Sequence, residues 1–524
     1  MGVFVPREFN AAEYFLDRLA RQHPQRVAIC GEPVAVRYGE LAGLANRFGN
    51  TLRAAGCRPG DRVLIVLPDS AEFVAAFFGA VKVGAIAVPV NPFTRAGDYA
   101  YYLSDCAPRV AVVHAVALAE FQQALQTAQP ALLIVVGASP PAGYDRPAVT
   151  WETLLREASD QLAVHHTAAT DAAFFLYTSG SGGAPKAAIH QHKDMLVTTE
   201  SFARGVLGLH TGDITFSVSK LFFAYGLGNA LYFPFSVGAT TILFPGRPEP
   251  ARIFEVVKRY RPTLFFSVPT SYSQCLAAAD DEEADFSSVR LCVSAGEALP
   301  RALYERWLER FGVEILDGIG STEVLHIFIS NRPGAVRPGS SGQIVPGYEA
   351  RILDEEGRPV PVREIGNLFI KGDSTCAYYW NKHDKTKETI LGEWIRTGDK
   401  YWVDEDGYYW YAGRTDDMLK VGGQWVSPVE IENTLIEHPA VLEAGVVGAT
   451  DADGLTKPRA FVVLRPGYTP SPELAEELKD FVKSRIAPFK YPRWVEFVAE
   501  LPKTATGKTQ RFRLRQVALT QEER

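Results

Sequence analysis

Strand and helix patterns alternate along the first part of this chain, and that order limits the folds it can adopt. Short apolar runs of strand length occupy residues 62–67, 85–90 and 110–114, and an amphipathic helical pattern fills residues 71–83. Alternation of this kind is typical of a parallel sheet with helices on its faces. The same pattern returns between residues 212 and 315. The sequence therefore predicts two α/β regions in succession.

The second part of the chain has a different pattern. After about Arg332, short strands at residues 348–353, 367–371 and 408–412 are separated by Gly, Pro and Asp. Short strands with turn residues at this spacing predict an antiparallel sheet or a small barrel.

A compact α+β stretch follows Arg414, with a helix predicted at residues 472–485 and a charged tail after Lys508. We therefore predict an α/β protein with a large N-terminal domain, residues 1–415. This domain would hold two parallel-sheet subdomains and a small β-barrel-like subdomain. A small α+β C-terminal domain, residues 416–524, would follow it.

Length, charge and cysteine usage exclude several classes of protein. A chain of 524 residues exceeds what one hydrophobic core supports, so two to four domains or subdomains are expected. The net charge of −7, with no basic tail, argues against a nucleic-acid partner. The six cysteines form no Cys-x-x-Cys pair and are typical of reduced residues in a cytoplasmic protein. No signal segment or membrane-spanning run is evident, so we expect a soluble protein. His190 and His192 favour local structure over metal binding.

Residues 177–186 read Tyr-Thr-Ser-Gly-Ser-Gly-Gly-Ala-Pro-Lys and follow an apolar run of strand length. Glycine lets a chain wrap closely and leaves backbone N–H groups open to phosphate oxygens, and Lys186 would add a positive charge. A flexible surface loop explains the composition equally well. The segment is not a Walker A loop, because that motif needs Gly before the lysine and Ser or Thr after it. Here Pro185 precedes the lysine and Ala187 follows it.

Five further segments carry glycines, hydroxyls and charges at close spacing. Each alone has an ordinary explanation, such as a turn with a helix N-cap, a hairpin turn or a basic surface loop. The segments are residues 294–300 (Ser-Ala-Gly-Glu-Ala-Leu-Pro), 317–323 (Asp-Gly-Ile-Gly-Ser-Thr-Glu), 394–399 (Trp-Ile-Arg-Thr-Gly-Asp), 413–420 (Gly-Arg-Thr-Asp-Asp-Met-Leu-Lys) and 502–511 (Pro-Lys-Thr-Ala-Thr-Gly-Lys-Thr-Gln-Arg). Together with the loop at 177–186, and in this order, they resemble the adenylate-forming superfamily. That superfamily includes acyl- and aryl-CoA synthetases, peptide-synthetase adenylation domains and beetle luciferases. The resemblance covers residues 12–514.

The resemblance implies an ATP site assembled from all these segments. Thr322 would contact phosphate and Glu323 would bind Mg²⁺. Asp399 and Arg414 would hold the ribose. The implied ATP-binding residues are Thr178, Ser179, Gly180, Ser181, Gly182, Lys186, Gly296, Glu297, Asp317, Gly318, Thr322, Asp399, Arg414 and Lys508. Departures from the family pattern occur at Gly182, Ala187 and Ile319. The first removes a hydroxyl from the loop, and the last leaves the adenine stacking partner open.

The catalytic residues implied by the resemblance are Lys508, Thr322 and Glu323. Lys508 has a clear physical task, because a carboxylate and an α-phosphate are both anionic and a cation between them lowers their repulsion as charge develops. Asp416 is implied as the hinge about which a mobile C-terminal domain turns. The implied CoA tunnel comprises Lys420, Gly422, Gly423 and Trp425.

An aromatic-rich segment at residues 220–235 and the segment Glu-Val-Leu-His-Ile-Phe at residues 323–328 form a second pattern. Core packing explains most of these aromatic residues. The two segments also resemble the acid pocket of benzoate-CoA ligases. The residues that would surround the ring are Ala224, Tyr225, Gly320, His326 and Ile327. A flat apolar pocket fits one ring and leaves little room for an alkyl chain. His326 either bonds a ring substituent or caps the pocket, so hydroxy- and aminobenzoates remain open as substrates.

We therefore expect an AMP-forming acid-thiol ligase of the benzoate-CoA type. It would activate benzoate or a substituted benzoate as aryl-AMP, release pyrophosphate and form the aryl-CoA thioester. The alternative is a stand-alone adenylation enzyme that loads the acid onto a carrier protein in trans, and we expect no fused carrier domain. ATP, Mg²⁺ and coenzyme A are the expected co-substrates and cofactor, and a monomer or homodimer in the cytoplasm is the expected state. Lys490 and Arg493 are either partners for CoA phosphates or plain surface charges.

Overall fold

The computed structural model describes residues 3–31, 35–178, 184–279, 284–421, 424–451, 455–503 and 509–522. The α-helices within these ranges span Arg18–Gln22, Tyr38–Ala54, Ala71–Lys82, Ala96–Cys106, Ala115–Ala124, Trp151–Glu157, His192–Thr198, Ala224–Leu227, Phe233–Val237, Pro250–Tyr260, Pro269–Ala278, Arg301–Phe311, His383–Thr389, Pro428–Ile436, Pro472–Arg485 and Arg511–Glu522. The π-helical segments are Glu13–Asp17, Thr199–Arg204 and Gly228–Tyr232, and the 3₁₀ segments are Thr322–Val324 and Pro488–Lys490.

The first large sheet, called the amino-terminal sheet, confirms the predicted parallel arrangement. Its strands, in spatial order, are Ala148–Thr150, Leu132–Val136, Val110–His114, Arg62–Val66, Ile86–Pro89, Ala172–Thr178 and Lys186–Gln191. All neighbours are parallel except the last pair, which is antiparallel. Lys186–Gln191 therefore lies at the edge of this sheet.

The second large sheet, called the central sheet, confirms the second predicted α/β region. Its strands, in spatial order, are Gln343–Ile344, Ile327–Ser330, Ile315–Gly320, Leu291–Ser294, Leu264–Ser267, Ile214–Ser217, Thr240–Leu243, Val27–Gly31 and Val36–Arg37. The strands from Ile315–Gly320 to Val27–Gly31 are parallel, and antiparallel strands flank them. The carboxyl ends of parallel strands lie at one edge, where α/β proteins bind ligands.

Helix Ala71–Lys82 lies in a hydrophobic core that contains residues of both large sheets. It begins at Ser70, whose hydroxyl accepts a hydrogen bond from the Phe73 backbone at 3.2 Å, and ten of its twelve residues are buried. Phe77 packs against Phe174 of the amino-terminal sheet, with ring centroids 5.7 Å apart. Phe78 stacks on Phe235 of helix Phe233–Val237, with ring centroids 6.1 Å apart. A helix that is apolar all round belongs in such an interior position.

The predicted antiparallel region forms a sheet with strands Tyr348–Leu353, Gly366–Gly372 and Trp394–Val403 in order, and both Ile390–Leu391 and Tyr409–Arg414 pair with Trp394–Val403. Tyr409 also bridges to Gly342, which ties this sheet to the edge of the central sheet.

The C-terminal region is α+β, as predicted. A hairpin pairs Leu419–Val421 with Gln424–Val426, and a sheet contains Val441–Thr450, Thr456–Leu464 and Trp494–Phe497. Helix Pro472–Arg485 has the predicted bounds, and the Ser471 hydroxyl caps it by accepting from the Leu474 backbone at 3.1 Å.

The charged tail after Lys508 contains helix Arg511–Glu522, which the sequence did not predict. Leu514 and Ala518 are buried and pack with Phe461 and Val447 of the C-terminal sheet. Leu514 and Ala518 are four positions apart and therefore lie on one face of the helix. Arg511, Arg513 and Arg515 lie close to Leu514 in the sequence, and these charges hid the short apolar stripe.

The six cysteines are free thiols, and all but Cys30 are buried, in agreement with the sequence prediction. Among the described residues, no helix combines the length and apolar character that crossing a bilayer requires.

Candidate active site

Residues 177–186, which the sequence analysis predicts to bind phosphate, span the connection between two antiparallel strands at the edge of the amino-terminal sheet. Thr178, the last residue of Ala172–Thr178, pairs with Lys186, the first residue of Lys186–Gln191. At the end of the connection, the hydroxyl of Tyr101 donates a 2.6 Å hydrogen bond to the carbonyl of Pro185. The predicted loop residues Ser179, Gly180, Ser181 and Gly182 lie outside the described residues.

Lys186 and Glu323 meet at a tyrosine that the sequence analysis did not identify. The hydroxyl of Tyr379 donates a 2.6 Å hydrogen bond to the Glu323 carboxylate. The Lys186 ammonium lies 4.3 Å from the centroid of the same ring and 3.4 Å from its hydroxyl. The structure thus brings Lys186, a predicted ATP-binding residue, and Glu323, the predicted Mg²⁺ ligand, to one side chain.

The segment that carries Glu323 is not the loop that the sequence predicted. Asp317, Gly318 and Gly320 belong to strand Ile315–Gly320, and the chain leaves the strand only at the 3₁₀ turn Thr322–Val324. A Cβ on Gly320 would lie 2.6 Å from the carbonyl oxygen of His326. Gly318 similarly lies against the backbone of the neighbouring strand. These glycines therefore permit close approach of two strands, not the flexibility of a loop.

His190 supports this turn from behind. Its Nε2 lies 2.7 Å from the carbonyl oxygen of Thr322, and its Nδ1 lies 3.0 Å from the Asp194 carboxylate. His190 is fully buried, and its ring stacks on Phe174. His192, two positions further along the chain, bonds elsewhere: its Nδ1 accepts a 3.1 Å hydrogen bond from the Ala11 backbone.

Asp399 and Arg414 lie directly opposite each other on neighbouring antiparallel strands. The Arg414 guanidinium donates to the Asp399 carboxylate at 3.3 Å. The Asp399 side chain is 11 % exposed, whereas that of Arg414 is 44 % exposed. The two residues predicted to hold the ribose are therefore paired with each other, and the arginine is the more exposed of the two.

The carboxyl edge of the central sheet places Asp317 beside the Gly296–Glu297 turn. Ser294 pairs with Asp317 in the parallel register, and the chain turns after Ser294, where Gly296 has a φ of +96°. Glu297 accepts a 3.1 Å hydrogen bond from the Thr270 hydroxyl. Burial raises the pKa of Asp317 to about 8, so this carboxyl is mostly protonated at neutral pH.

The predicted acid pocket is aromatic. His326 is 2 % exposed, and its ring centroid lies 4.5 Å from Phe233, 5.3 Å from Phe202 and 5.5 Å from Tyr225. Its Nε2 lies 3.1 Å from the side-chain oxygen of Asn229, a buried residue that the sequence analysis missed. Burial lowers the pKa of His326 to about 3, so the imidazole is neutral.

The remaining predicted pocket residues lie next to this histidine. Ile327 is buried, and Ala224 and Tyr225 are partly exposed and pack against the same core. The Tyr225 hydroxyl donates to the Val293 carbonyl at 3.1 Å, which fixes its ring against the central sheet. Gly320 pairs with Ile327 across the strands.

The C-terminal predictions are only partly described. Lys508 lies outside the described residues, as do Gly422, Gly423 and the side chains of Lys420 and Trp425. Lys503 and Thr509, on either side of the Lys508 segment, form an antiparallel bridge. Asp416 lies in a turn after Arg414, in which the Asp417 backbone donates to the Arg414 carbonyl at 3.0 Å.

Two family models match this chain. One, described as AMP-binding enzyme, matches residues 16–380, and the other, described as AMP-binding enzyme C-terminal domain, matches residues 430–508. The chain belongs to the AMP-binding enzyme family. The match of the second model also agrees with the α+β region at the C-terminal end.

Curated relatives and solved structures cover nearly the whole chain. It is 49 % identical to a benzoate–CoA ligase of Thauera aromatica, over 98 % of this chain and 97 % of the relative. It is 42 % identical to a 4-hydroxybenzoate–CoA/benzoate–CoA ligase of Rhodopseudomonas palustris, over 98 % and 95 %. A crystal structure of an anthranilate CoA ligase with anthranoyl-AMP matches with a TM-score of 0.95 and 44 % identity, covering 99 % of both chains. A benzoate CoA ligase from Burkholderia xenovorans LB400 matches with a TM-score of 0.90 and 46 % identity, covering 97 % of this chain and 100 % of that one.

Proposed function

We propose that this protein is an AMP-forming aryl-CoA ligase that converts benzoate or a substituted benzoate, ATP and CoA into aryl-CoA, AMP and pyrophosphate. One observation carries the proposal. The turn after strand Ile315–Gly320 carries both Glu323 and His326. Glu323 contacts Tyr379, which also contacts Lys186, and His326 lies among aromatic rings. A nucleotide and an aromatic acid can therefore meet across this one turn. The likeness to aryl-CoA ligases supports the same reaction.

In the first half-reaction, an oxygen of the aryl carboxylate attacks the α-phosphorus of ATP. The new P–O bond forms as the bond to the β-phosphate breaks, and pyrophosphate leaves. Lys186, at the edge of the amino-terminal sheet, would neutralise charge on the leaving group. Asp399 and Arg414 would hold the ribose, and Thr322 would contact phosphate. By family resemblance, Lys508 would place a cation between the two reacting anions.

In the second half-reaction, the CoA thiolate attacks the carbonyl carbon of the aryl-AMP. A C–S bond forms, the bond to the phosphate oxygen breaks, and AMP leaves. We assign the CoA tunnel to the segment around Lys420, Gly422, Gly423 and Trp425. The domain division at residues 415 and 416, with Asp416 as the hinge, would allow the C-terminal domain to serve both steps.

Mg²⁺ is part of this proposal, and Glu323 suits it. Mg²⁺ takes one or two protein carboxylates and completes its ligands with phosphate oxygens and water. Glu323 is a partly exposed carboxylate near Lys186, and the described residues hold no cluster of three or more His, Cys, Asp or Glu side chains that could hold a metal alone. When bound, the ion would offset negative charge on the polyphosphate.

The acid pocket favours a single aromatic ring. His326 is neutral and surrounded by rings, and the hydrogen-bonding capacity of its Nε2 is used by Asn229. Its Nδ1 is buried without a partner among the described residues. An amino or hydroxyl group on the ring of the substrate could donate to this nitrogen, whereas unsubstituted benzoate would leave it unpaired. We therefore propose benzoate together with its hydroxy and amino derivatives as the substrate class.

The proposal also includes the cellular compartment and the oligomeric state. The free cysteines, five of which are buried, suit a reducing compartment, so we propose a cytoplasmic enzyme. The proposed oligomeric state is a monomer or a homodimer, which sedimentation equilibrium distinguishes.

A panel of acids tests the proposal. Benzoate, 4-hydroxybenzoate, 2-aminobenzoate, cyclohexanecarboxylate and hexanoate are each incubated with ATP, Mg²⁺ and CoA, and AMP and acyl-CoA are quantified by chromatography. Aromatic acids should yield both products in equal amounts, with far less from hexanoate. A preference for hexanoate would refute the pocket assignment. Acyl transfer that requires a carrier protein instead of CoA would favour the adenylation-enzyme alternative.

A further inference from the structure

Tyr379 contacts Glu323 and Lys186 with different parts of one side chain. Its hydroxyl donates to the carboxylate at 2.6 Å, whereas the ammonium lies over the ring face, 4.3 Å from the centroid. We propose that Tyr379 is a positioning residue that holds these opposite charges apart, so that Glu323 stays available to Mg²⁺ and Lys186 to the polyphosphate. This inference rests on the proposed function of the site.

The backbone of Tyr379 is fixed to the strand that carries Lys186. Tyr379 bridges to Ala188 in the antiparallel sense, and the neighbouring Trp380 backbone donates to the Ala187 carbonyl at 2.9 Å. The Tyr379 backbone also donates to the Thr386 hydroxyl at 3.0 Å. Tyr379 is 2 % exposed. Its ring therefore has little freedom to leave the position between the two charges.

The other side of the contact is fixed as well. The carbonyl of Glu323 accepts a 2.7 Å hydrogen bond from the Cys376 backbone, and the carbonyl of Val324 accepts a 2.8 Å hydrogen bond from the Ser374 hydroxyl. The segment 374–380 thus attaches the Glu323 turn to the edge of the amino-terminal sheet. Tyr379 is the side chain at the junction.

The hydroxyl of Tyr379 remains a donor. A phenol has an ordinary pKa of about 10, so it keeps its proton at neutral pH and can donate it in a hydrogen bond to the carboxylate. A neutral donor restrains a carboxylate without cancelling its charge. In contrast, a direct pair between Lys186 and Glu323 would cancel both charges and weaken the attraction of each for its ligand.

Tyr379→Phe separates the two contacts, because phenylalanine keeps the ring face for Lys186 and loses the hydroxyl. Its neighbour Tyr378, which is 42 % exposed, supplies the matched control Tyr378→Phe. Binding of ATP to each variant is measured by titration calorimetry, once with Mg²⁺ and once with EDTA. We expect Tyr379→Phe to weaken Mg²⁺-dependent ATP binding about tenfold, as loss of a hydrogen bond to a charged group does. Tyr378→Phe should bind as the wild type does.

The variant Glu323→Gln provides a second, independent test of whether Tyr379 acts through the carboxylate. If Tyr379 acts through the carboxylate, the double variant Tyr379→Phe/Glu323→Gln binds ATP with Mg²⁺ no more weakly than Glu323→Gln alone. Conversion of supplied benzoyl-AMP to benzoyl-CoA should be unchanged in Tyr379→Phe, because benzoyl-AMP has no β- and γ-phosphates. Wild-type binding by Tyr379→Phe, or effects that multiply in the double variant, would overturn the inference. Failure of the proposed function would appear separately, as wild-type protein that binds ATP but releases no pyrophosphate with any aromatic acid.

Discussion

Nε2 of His190 lies 2.7 Å from the carbonyl oxygen of Thr322 and joins the strand that carries Lys186 to the turn that carries Glu323. A carbonyl oxygen only accepts, so the Nε2–H of His190 donates this bond. Asp194 lies 3.0 Å from the other ring nitrogen and fixes the orientation of the imidazole. The edge of the amino-terminal sheet is thus joined by a partly buried hydrogen bond to the turn that follows strand Ile315–Gly320 of the central sheet.

His190→Ala should impair ATP use more than it impairs folding of the rest of the protein. The variant removes one of the two hydrogen bonds that the Thr322 carbonyl accepts, the other coming from the Leu325 backbone at 3.2 Å. This loss costs about 1 kcal/mol and loosens the turn that carries Glu323. We expect the KM for ATP to rise about fivefold or more. His192→Ala is the matched control, since His192 is equally buried but bonds the Ala11 backbone. It should lose comparable stability in denaturant unfolding and keep the wild-type KM for ATP, and an equal rise in both variants would contradict this role of His190.

Lys186→Ala and Asp399→Ala should separate the two half-reactions. Lys186 is proposed to serve the leaving pyrophosphate, so its loss should slow adenylation about 100-fold and spare thioester formation from supplied benzoyl-AMP. Asp399 is proposed to hold the ribose, which both ATP and benzoyl-AMP contain. Its loss should therefore slow both steps, as rapid-quench assays of each half-reaction can show. If Lys186→Ala slows the second step as strongly as the first, the assignment of Lys186 to the pyrophosphate is wrong.

Asp317→Asn should change how stability depends on pH. The pKa of Asp317 is about 8 in the folded protein against an ordinary value of 3.8, so the fold favours the protonated form. The stability that this group contributes is present below pH 4 and is lost as the pH rises through 8, at about 1.4 kcal/mol per pH unit. Asparagine has no charge to bury. Without nucleotide, the melting temperature of the variant minus that of the wild type should therefore increase as the pH rises from 5 to 8.5. A constant difference over this range would refute the raised pKa of Asp317.

Continuous apolar runs made the fold largely predictable. Strand Val110–His114 has the predicted bounds because a parallel strand buried on both faces is apolar throughout. Helix Pro472–Arg485 also has the predicted bounds, because Ser471 caps its start and proline occupies its first position. Local signals of this kind lie within a few residues of the element they define.

The contacts that complete the site were not predictable in this way. Tyr379 meets Lys186 across 193 positions of sequence, and neither neighbourhood indicates the other. His190 meets Thr322 across 132 positions, through a backbone carbonyl that has no sequence signature. Gly318 and Gly320 were interpreted as loop residues because glycine permits both a turn and a close approach of strands, and only the neighbouring strand Ile327–Ser330 decides between them.

Gly228→Ala should act on the acid and not on ATP. A Cβ at this position would lie 2.5 Å from Cδ2 of His326, so the imidazole must move within its aromatic surroundings. We expect the KM for benzoate to rise about tenfold while the KM for ATP changes little, since the displaced ring lies in the acid pocket. Gly97→Ala is the control, because no atom lies within 4 Å of its added Cβ. Steady-state kinetics with each substrate varied in turn measure both constants, and a rise confined to ATP would place His326 outside the acid pocket.

Benzoate-dependent exchange of labelled pyrophosphate into ATP, measured without CoA, tests the central claim most directly. Reversible formation of benzoyl-AMP at the Glu323 turn predicts labelled ATP only when benzoate and Mg²⁺ are both present. Absence of exchange with benzoate and with its hydroxy and amino derivatives, or the appearance of ADP in place of AMP and pyrophosphate, would contradict it.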